Sequence, residues 1–596
     1  MLRSKQTSDE SQTTPMKKFL IITSLFICLS SMTAQAQVDM DLLVAQGEEL
    51  FNREASCWVC HSKSAEGLIG PSLLYGPTPA QIFDQMINNP QMAVISQELQ
   101  PNNEDLVAIS MYIRSLAGLP VSDEMSANYR AALAAARAKQ ETDLIFPKTA
   151  RDLAVEEIQS FETVLADWQR RSTEGPIGRT YESRTVAKFA PGKAKFTPQK
   201  NHTYFYENVG NSANLAVLEE GATNAKSTQI VVGDAVTHEV IASYELPVGL
   251  RAAVHTTVLS PDGKYVYIVG SKPNTEPTNQ MRALDAPATL IKADALTLQP
   301  IKQITMGGRL HHGQVFRDKY VLLDTFARDP DGLDVMLLDT ETDEIVGGVR
   351  DEELGGSSYT AWTDDEFIYV LMEPTGYASQ RSTGMVGAIN LYKGKLTTMK
   401  PFWVAKIDPD TWEVVREYPY AGFRGDWIVI DSEKEYMYVT AAGTSNVNKI
   451  NLETGAIKWT APAGISPYGA TLTADEAELW VANKGETTGH FGRTISVLSA
   501  NDGRQLATVF SGYEVDHLLL APNGKEIWAT SNGEGRIYVF DAATREKITV
   551  IQMPQNGDPH GLVWVHYDAD GSSRVVRDQG GFRGGINPAR GVVLDY

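Results

Sequence analysis

Five consecutive residues, Cys57-Trp58-Val59-Cys60-His61, carry the most specific chemistry in the chain. Thiols at this spacing can add across the two vinyl groups of one haem, and the histidine that follows brings an imidazole to the iron. A redox pair or half a zinc site uses the same cysteines. A redox pair has no need of the adjacent histidine, however, and no second pair completes a zinc site, so one covalent haem c is expected. The remaining chemistry lies among the 10 histidines. His255, His312, His517 and His560 stand in Val254-His255-Thr256, His311-His312-Gly313, Asp516-His517-Leu518 and Pro559-His560-Gly561, each opening a strand pair. Neutral imidazoles brought together without cysteine suit copper or a haem-type iron; the competing role for each is a turn histidine with no metal. His202 and His311 are possible further ligands, whereas His238, His490 and His566 fall on turns or outer strands and are expected at the surface.

The elements that must position these groups follow from periodicity. From residue 201 onward a hydrophobic strand ending near an Asp, a Thr-containing turn and a second strand recur, as in Leu290 to Thr297, Val335 to Thr342, Val404 to Thr411 and Ile537 to Thr544. The interval of about 40–70 residues is that of β-propeller blades. Pro261-Asp262-Gly263 and Pro522-Asn523-Gly524 supply turns between the repeats. Seven such hairpins are visible, with a partial unit after His560, so seven or eight blades are expected. Equivalent positions of different blades converge on one end of the central channel, where distant histidines can meet. The Gly-rich stretch Gln579 to Gly585 either lines a ligand mouth or closes the ring. Ahead of the repeats, Ala131 to Ala138 and Ala150 to Arg171 read as helices of a spacer.

The residues around the cysteine motif, Asp39 to Leu119, resemble a class I c-type cytochrome. Gly47 and Phe51 precede the motif, Gly70-Pro71 follows it, and Leu106 to Leu116 with Tyr112 reads as the closing helix. The resemblance implies a sixth iron ligand from a Met between the Gly-Pro turn and that helix, which here is Met92; Met86 and Met111 fall on apolar helical faces that suit core filling. The repeats resemble the YVTN/YncE-like propellers in Val254 to Gly270 and Asp516 to Gly533, a family in which Pro-His-Gly often serves as a metal-free turn. A cytochrome followed by a propeller also resembles cytochrome cd1 nitrite reductase, which implies a haem d1 iron held by His255. Where that family carries distal histidines, this chain has Arg424-Gly425-Asp426 and Asn483-Lys484. Nitrous oxide reductase and thiocyanate dehydrogenase are similar in drawing copper-binding histidines from several blades, though Tyr359, Asp426 and Tyr468 stand where more are expected. A quinoprotein is disfavoured, because Gly455 to Trp459 alone fits its Gly-plus-Trp signature.

Composition narrows the partners. The 596 residues carry 53 Lys+Arg and 74 Asp+Glu, a formal net charge of −21, which repels nucleic acid and anionic membrane surfaces. Met16-Lys-Lys, the apolar run Phe19 to Cys28 and Ala34-Gln35-Ala36 form a secretory leader, with Met16 a possible true start. Ile27 is too bulky for a lipid-attachment signal at Cys28, and no later stretch is long enough to span a bilayer. The expected organisation is a leader over 1–36, a small all-α cytochrome c domain over 37–120, a helical linker over 121–200 and a large all-β propeller over 201–596. The expected function is a soluble periplasmic oxidoreductase acting on a small molecule. A copper or second-haem centre in the propeller exchanges electrons through haem c with a soluble cytochrome or cupredoxin-type carrier, and Asp426, Arg424 and Lys484 orient substrate or move protons. The alternatives are a cd1-like nitrite reductase and a non-catalytic electron relay with a docking propeller.

Overall fold

Helix-forming and strand-forming sequence separate cleanly along the chain, and the computed structural model divides it into two units, Met1–Lys139 and Gln140–Tyr596. The described residues are 40–53, 56–68, 72–88, 92, 101–145, 150–174, 184–210, 228–270, 287–326, 332–374, 401–488 and 491–596; the segment expected as a leader, Gly70-Pro71 and His490 lie outside them.

The first unit is helical: α1 (residues 40–52), α2 (Trp58–His61), α3 (Pro79–Asn88), α4 (Asn103–Leu116) and most of α5 (Asp123–Ile145), which crosses the boundary at Lys139. Asn102 and Asp105 start α4 with a reciprocal cap, each side chain accepting the other's backbone N–H at 3.1 and 3.0 Å. Phe51, Met86, Leu106, Val107, Met111, Ile113 and Leu133 share one core. Gly47 lets α1 cross α4 at backbone contact, since a Cβ there would lie 2.0 Å from the Ala108 carbonyl oxygen, and Phe51 meets Tyr112 at 5.5 Å between ring centroids. Gly47→Val should therefore push the helices apart and cost about 1–3 kcal/mol, read as an earlier loss of the helical circular-dichroism signal while the β signal persists.

The second unit is a seven-bladed propeller. Blades 3 to 7 are consecutive four-stranded antiparallel sheets whose innermost strands are Arg309–Phe316, Ser357–Thr363, Gly425–Ile430, Pro467–Leu472 and Val515–Leu520. Blade 2 has Val258–Leu259 innermost and gains Arg184–Lys188 and Glu156–Glu157 on its outer edge. Blade 1 is composite: Asp558–Tyr567 is its inner strand and pairs with His202–Gly210, from His202↔Tyr567 to Gly210↔Asp558. The unit after His560 is thus the closure of the first blade, not an eighth. Residues 121–200, expected as a spacer, are shared out. α5 sends Leu133 into the helical core, while Ala150, Val164 and Val186 pack in the propeller core.

The repeated Asp is a turn device. At the end of the third strand in five of the seven blades Asp234, Asp294, Asp339, Asp408 and Asp541 accept backbone N–H groups two and three residues on; Asn451 and Ser499 stand there in the other two. The residue after that turn takes positive φ, as at His238 (59°), Trp412 (61°) and Arg545 (64°), and the outer strand begins there with a bulge. Outer strands alternate exposed and buried, as in Val414–Pro419, whereas inner strands such as Pro467–Leu472 are buried on both faces between neighbouring blades.

Candidate functional site

A second set of bulges builds the site. Pairing of inner and second strands slips between Leu310 and Gly313, Ser358 and Ala361, Gly425 and Trp427, Pro467 and Ala470, and Val515 and Leu518. The skipped residues are His311-His312, Tyr359-Thr360, Asp426, Tyr468-Gly469 and Asp516-His517. One irregularity recurring at one level of blades 3 to 7 turns these side chains toward the axis.

The structure brings His255, His312, His517 and His560 together, and His311 with them. Ring centroids lie 4.0 Å apart for His311 and His312, 4.3 Å for His255 and His311, 4.9 Å for His255 and His312, and 4.6 Å for His255 and His560. His517 stands 5.5 Å from His312 and 6.0 Å from His560. One ring nitrogen each of His255, His311 and His312 lies within 4.8 Å of the other two, a spacing that can hold a metal ion. Burial holds His255, His312, His517 and His560 well below the ordinary imidazole pKa, helped by neighbouring imidazoles, Arg309 or Lys484, so each is neutral at pH 7. Neutral imidazole is the ligating form.

Asp324, on the second strand of blade 3, fixes two of these rings. Its Oδ1 lies 2.9 Å from His311 Nδ1 and accepts the His312 backbone N–H at 3.1 Å; its Oδ2 accepts the Thr360 hydroxyl at 2.8 Å, and Thr360 Oγ1 stands 2.6 Å from His312 Nδ1. Both Nδ1 atoms are thereby occupied and both Nε2 atoms remain as donors toward an ion, the arrangement by which a carboxylate orients a ligating histidine. The sequence reading missed Asp324, although a carboxylate inside the apolar run Tyr320-Val-Leu-Leu-Asp324-Thr-Phe326 is a signal that it is held by partners.

Across the channel the three polar residues expected to act on substrate are also buried together. Arg424 Nη2 meets Glu486 at 2.7 Å and its Nε lies 3.5 Å from Asp426; Lys484 Nζ is 3.0 Å from Glu486 and 3.1 Å from Asp516. Asp516 continues to His560 Nε2 at 3.4 Å. Burial pushes Asp426 up to about 7, with Arg424 and Lys484 opposing it and Glu486 and Glu373 adding to it. Burial also works to raise Glu486, but Lys484 and Arg424 outweigh it and hold Glu486 well below the carboxylate range. Tyr359 and Tyr468, standing where histidines were looked for, share a hydrogen bond of 3.0 Å, and Tyr468 stacks on His517 at 5.8 Å. Trp427, unremarked in the sequence, lies 4.5 Å from His517 and also lines a cavity of about 220 Å³.

The other expected residues fall elsewhere. His202 pairs with Asp234 at 2.8 Å, apart from the cluster. His238 and His566 were expected at the surface, but their side chains are only 16% and 12% exposed: His238 Nε2 lies 3.1 Å from Glu526, and His566, on an inner strand, bonds Thr203 at 2.9 Å. The stretch Gln579 to Gly585 lies across the opposite ends of the inner strands. Asp578 accepts the Val315 N–H, Arg583 pairs with Asp365, and Gln579 reaches Thr256 beside His255, so this segment closes one end of the channel and walls the cavity. In the helical unit, Cys57, Trp58 and Met92 pack on the same core and His61 is buried. No helix among the described residues is long and apolar enough to cross a membrane.

No family model matches the chain, and no curated protein matches it. Among solved structures it is similar to dihydro-haem d1 dehydrogenase NirN in complex with DHE, at 15% identity and a TM-score of 0.40 over 91% of this chain and 99% of that one. It is also similar to hydrazine synthase of Kuenenia stuttgartiensis, at 15% identity and a TM-score of 0.39 over 56% and 95%. Likeness at this level leaves the chemistry of the site to its own residues.

Proposed function

We propose that the protein is a periplasmic oxidoreductase whose propeller would hold a metal ion at His255, His311 and His312, and whose helical unit would carry one covalent haem c on Cys57 and Cys60, with His61 and Met92 supplying ligands to its iron. The observation that carries the reading is the buried triad, neutral where its titration is resolved, with the Nδ1 atoms of His311 and His312 tied to Asp324 and Thr360. A donor set of imidazoles without sulfur favours copper among redox metals. Imidazoles at contact spacing leave room for an ion between them rather than a macrocycle, which sets copper ahead of a second haem.

When bound, the metal supplies a redox centre and a Lewis acid beside the substrate, and haem c supplies one-electron exchange with an external carrier. The chain's own residues do the rest. Arg424 and Lys484 keep Glu486 charged and fix its position, and Asp426 holds a proton near neutral pH beside Arg424. The net charge of −21 favours a basic cytochrome or cupredoxin-type carrier through electrostatic steering.

Metal analysis of periplasmically expressed protein tests the reading. The expected result is haem iron together with copper; haem iron alone would leave an electron relay whose propeller is a docking module. The proton assignment has its own readout. Below about pH 7 Asp426 is protonated and above it ionised, so the infrared band of a buried protonated carboxyl should fade with a midpoint of about 7 and be missing from Asp426→Asn. The charged and titratable groups facing it are Arg424, Lys484, Glu486, Glu373, Tyr359 and Tyr468, so a band that persists in Asp426→Asn would move the proton to one of the carboxyls among these.

A further inference from the structure

Arg309 opens the inner strand of blade 3, two residues before His311, and its side chain is completely buried. Its Nη2 donates to the Ala253 carbonyl at 2.9 Å, against the backbone that leads into His255. Its Nε and Nη1 have no hydrogen-bond acceptor, and no carboxylate pairs with it among the described residues. The charge of this guanidinium is felt by both His255 and His312.

This is the reverse of the situation across the channel. There Arg424 and Lys484 are matched by Asp426, Glu486 and Asp516. On the triad side, the carboxylate of Asp324 is spent on His311, the His312 and Ala361 N–H groups and the Thr360 hydroxyl, and Glu207 accepts the His560 and Gly561 N–H groups. A buried cation is stable only when a counter-charge and acceptors complete it. Neutral imidazoles supply no counter-charge, and a metal dication among them takes up their ring nitrogens and adds positive charge. A neutral ligand would leave the guanidinium unmatched; an anion supplies both the charge and the acceptor atoms.

We propose that Arg309 and the histidine triad form the binding site of a small inorganic or carboxylate monoanion, and that the substrate of this centre is such an anion. The proposal rests on the metal reading above for the substrate's second contact, but the anion's contact with Arg309 stands without the metal. Arg309 is then a specificity residue: it selects negative charge and directs the anion toward the triad.

Azide is a suitable probe, titrated by calorimetry into copper-loaded and chelator-treated full-length protein, with metal content measured on every sample. Loaded wild type should bind azide with a new ligand-to-copper absorption band. Arg309→Met should weaken that binding at least tenfold at unchanged copper occupancy, and Arg309→Lys should recover most of it. Because Met removes an unmatched buried charge, the azide-free Arg309→Met protein should melt no lower than wild type and should lose the rise in melting temperature that azide gives wild type. Equal azide affinity in wild type and Arg309→Met at equal occupancy overturns the proposal. If Arg309→Met does not fold, Arg309→Gln, which keeps a polar side chain without the charge, carries the test, and unaltered azide affinity in it at equal copper occupancy overturns the proposal as well. If wild type takes up no copper, the metal reading fails by itself. The chelator-treated pair then decides: azide binding that Arg309→Met abolishes upholds the anion site, and its absence from both sinks it.

Discussion

Replacing His311 by Ala should empty the propeller of its non-haem metal while the haem c spectrum stays as it was. His311 lies within 4.8 Å, nitrogen to nitrogen, of His255 and His312 and is anchored from behind by Asp324 and by the Tyr359 carbonyl at 3.1 Å, so its loss removes one of the three ligands. His255→Ala and His312→Ala should act alike. Asp324→Asn is the more discriminating change, because it leaves all three imidazoles in place and takes away the carboxylate that fixes the tautomer of His311 and, through Thr360, of His312. A drop of about 10–100-fold in metal affinity is the usual cost of such a partner. Stability is a poor readout here. The propeller is held by cores between adjacent blades, and removing one channel imidazole should cost about 1–3 kcal/mol spread over a large structure. Full metal occupancy in His311→Ala and Asp324→Asn would make His311 a structural histidine and Asp324 its structural partner, and end the metal reading.

What the sequence disclosed depended on whether the deciding interaction was local. The third strand, its terminal Asp and the left-handed residue four places later form a turn within one stretch of chain, so the blade repeat could be read directly, and with it the common level of His255, His312, His517 and His560. Blade number was ambiguous because the ring closes by pairing His202–Gly210 with Asp558–Tyr567, strands separated by the whole propeller. His311 appeared only as an added possibility because alternation along a strand predicts that neighbours point to opposite faces; the bulge between Leu310 and Gly313 breaks that alternation and turns both rings inward. Asp324 and Arg309 were overlooked since each sits in a run that otherwise reads as a buried strand, where polar side chains matter through partners contributed by other blades. His566 was misplaced for a related reason: the composite blade has a ten-residue inner strand, so a position that looks peripheral by repeat spacing is buried beside Thr203. Helical periodicity after residue 121 was legible, but periodicity does not say which core a helix joins.

Cys57→Ala combined with Cys60→Ala should abolish covalent haem, leaving no haem on the denatured chain and no haem c absorption in the purified protein. Cys57 stands at the N-cap of the one-turn helix Trp58–His61, Cys60 lies within it and His61, its last residue, is buried, so both thioethers and the imidazole would come from a single turn of backbone. Either single substitution should retain one thioether and shift the absorption bands. Met92→Ala addresses the thioether that would supply the second side-chain ligand. Met92 packs on the core that also holds Cys57 and Trp58, and a thioether ligand raises the reduction potential. The variant should therefore keep its haem, lose the methionine-dependent features of the reduced spectrum and fall in potential; an unchanged potential would assign the sixth ligand to another residue. Copper occupancy should be untouched in all four proteins, because the triad draws its ligands from blades 2 and 3 of the propeller alone. Loss of copper in the cysteine variants would instead mean that the metal is held by the helical unit, a result that would contradict the assignment of the two centres to separate units.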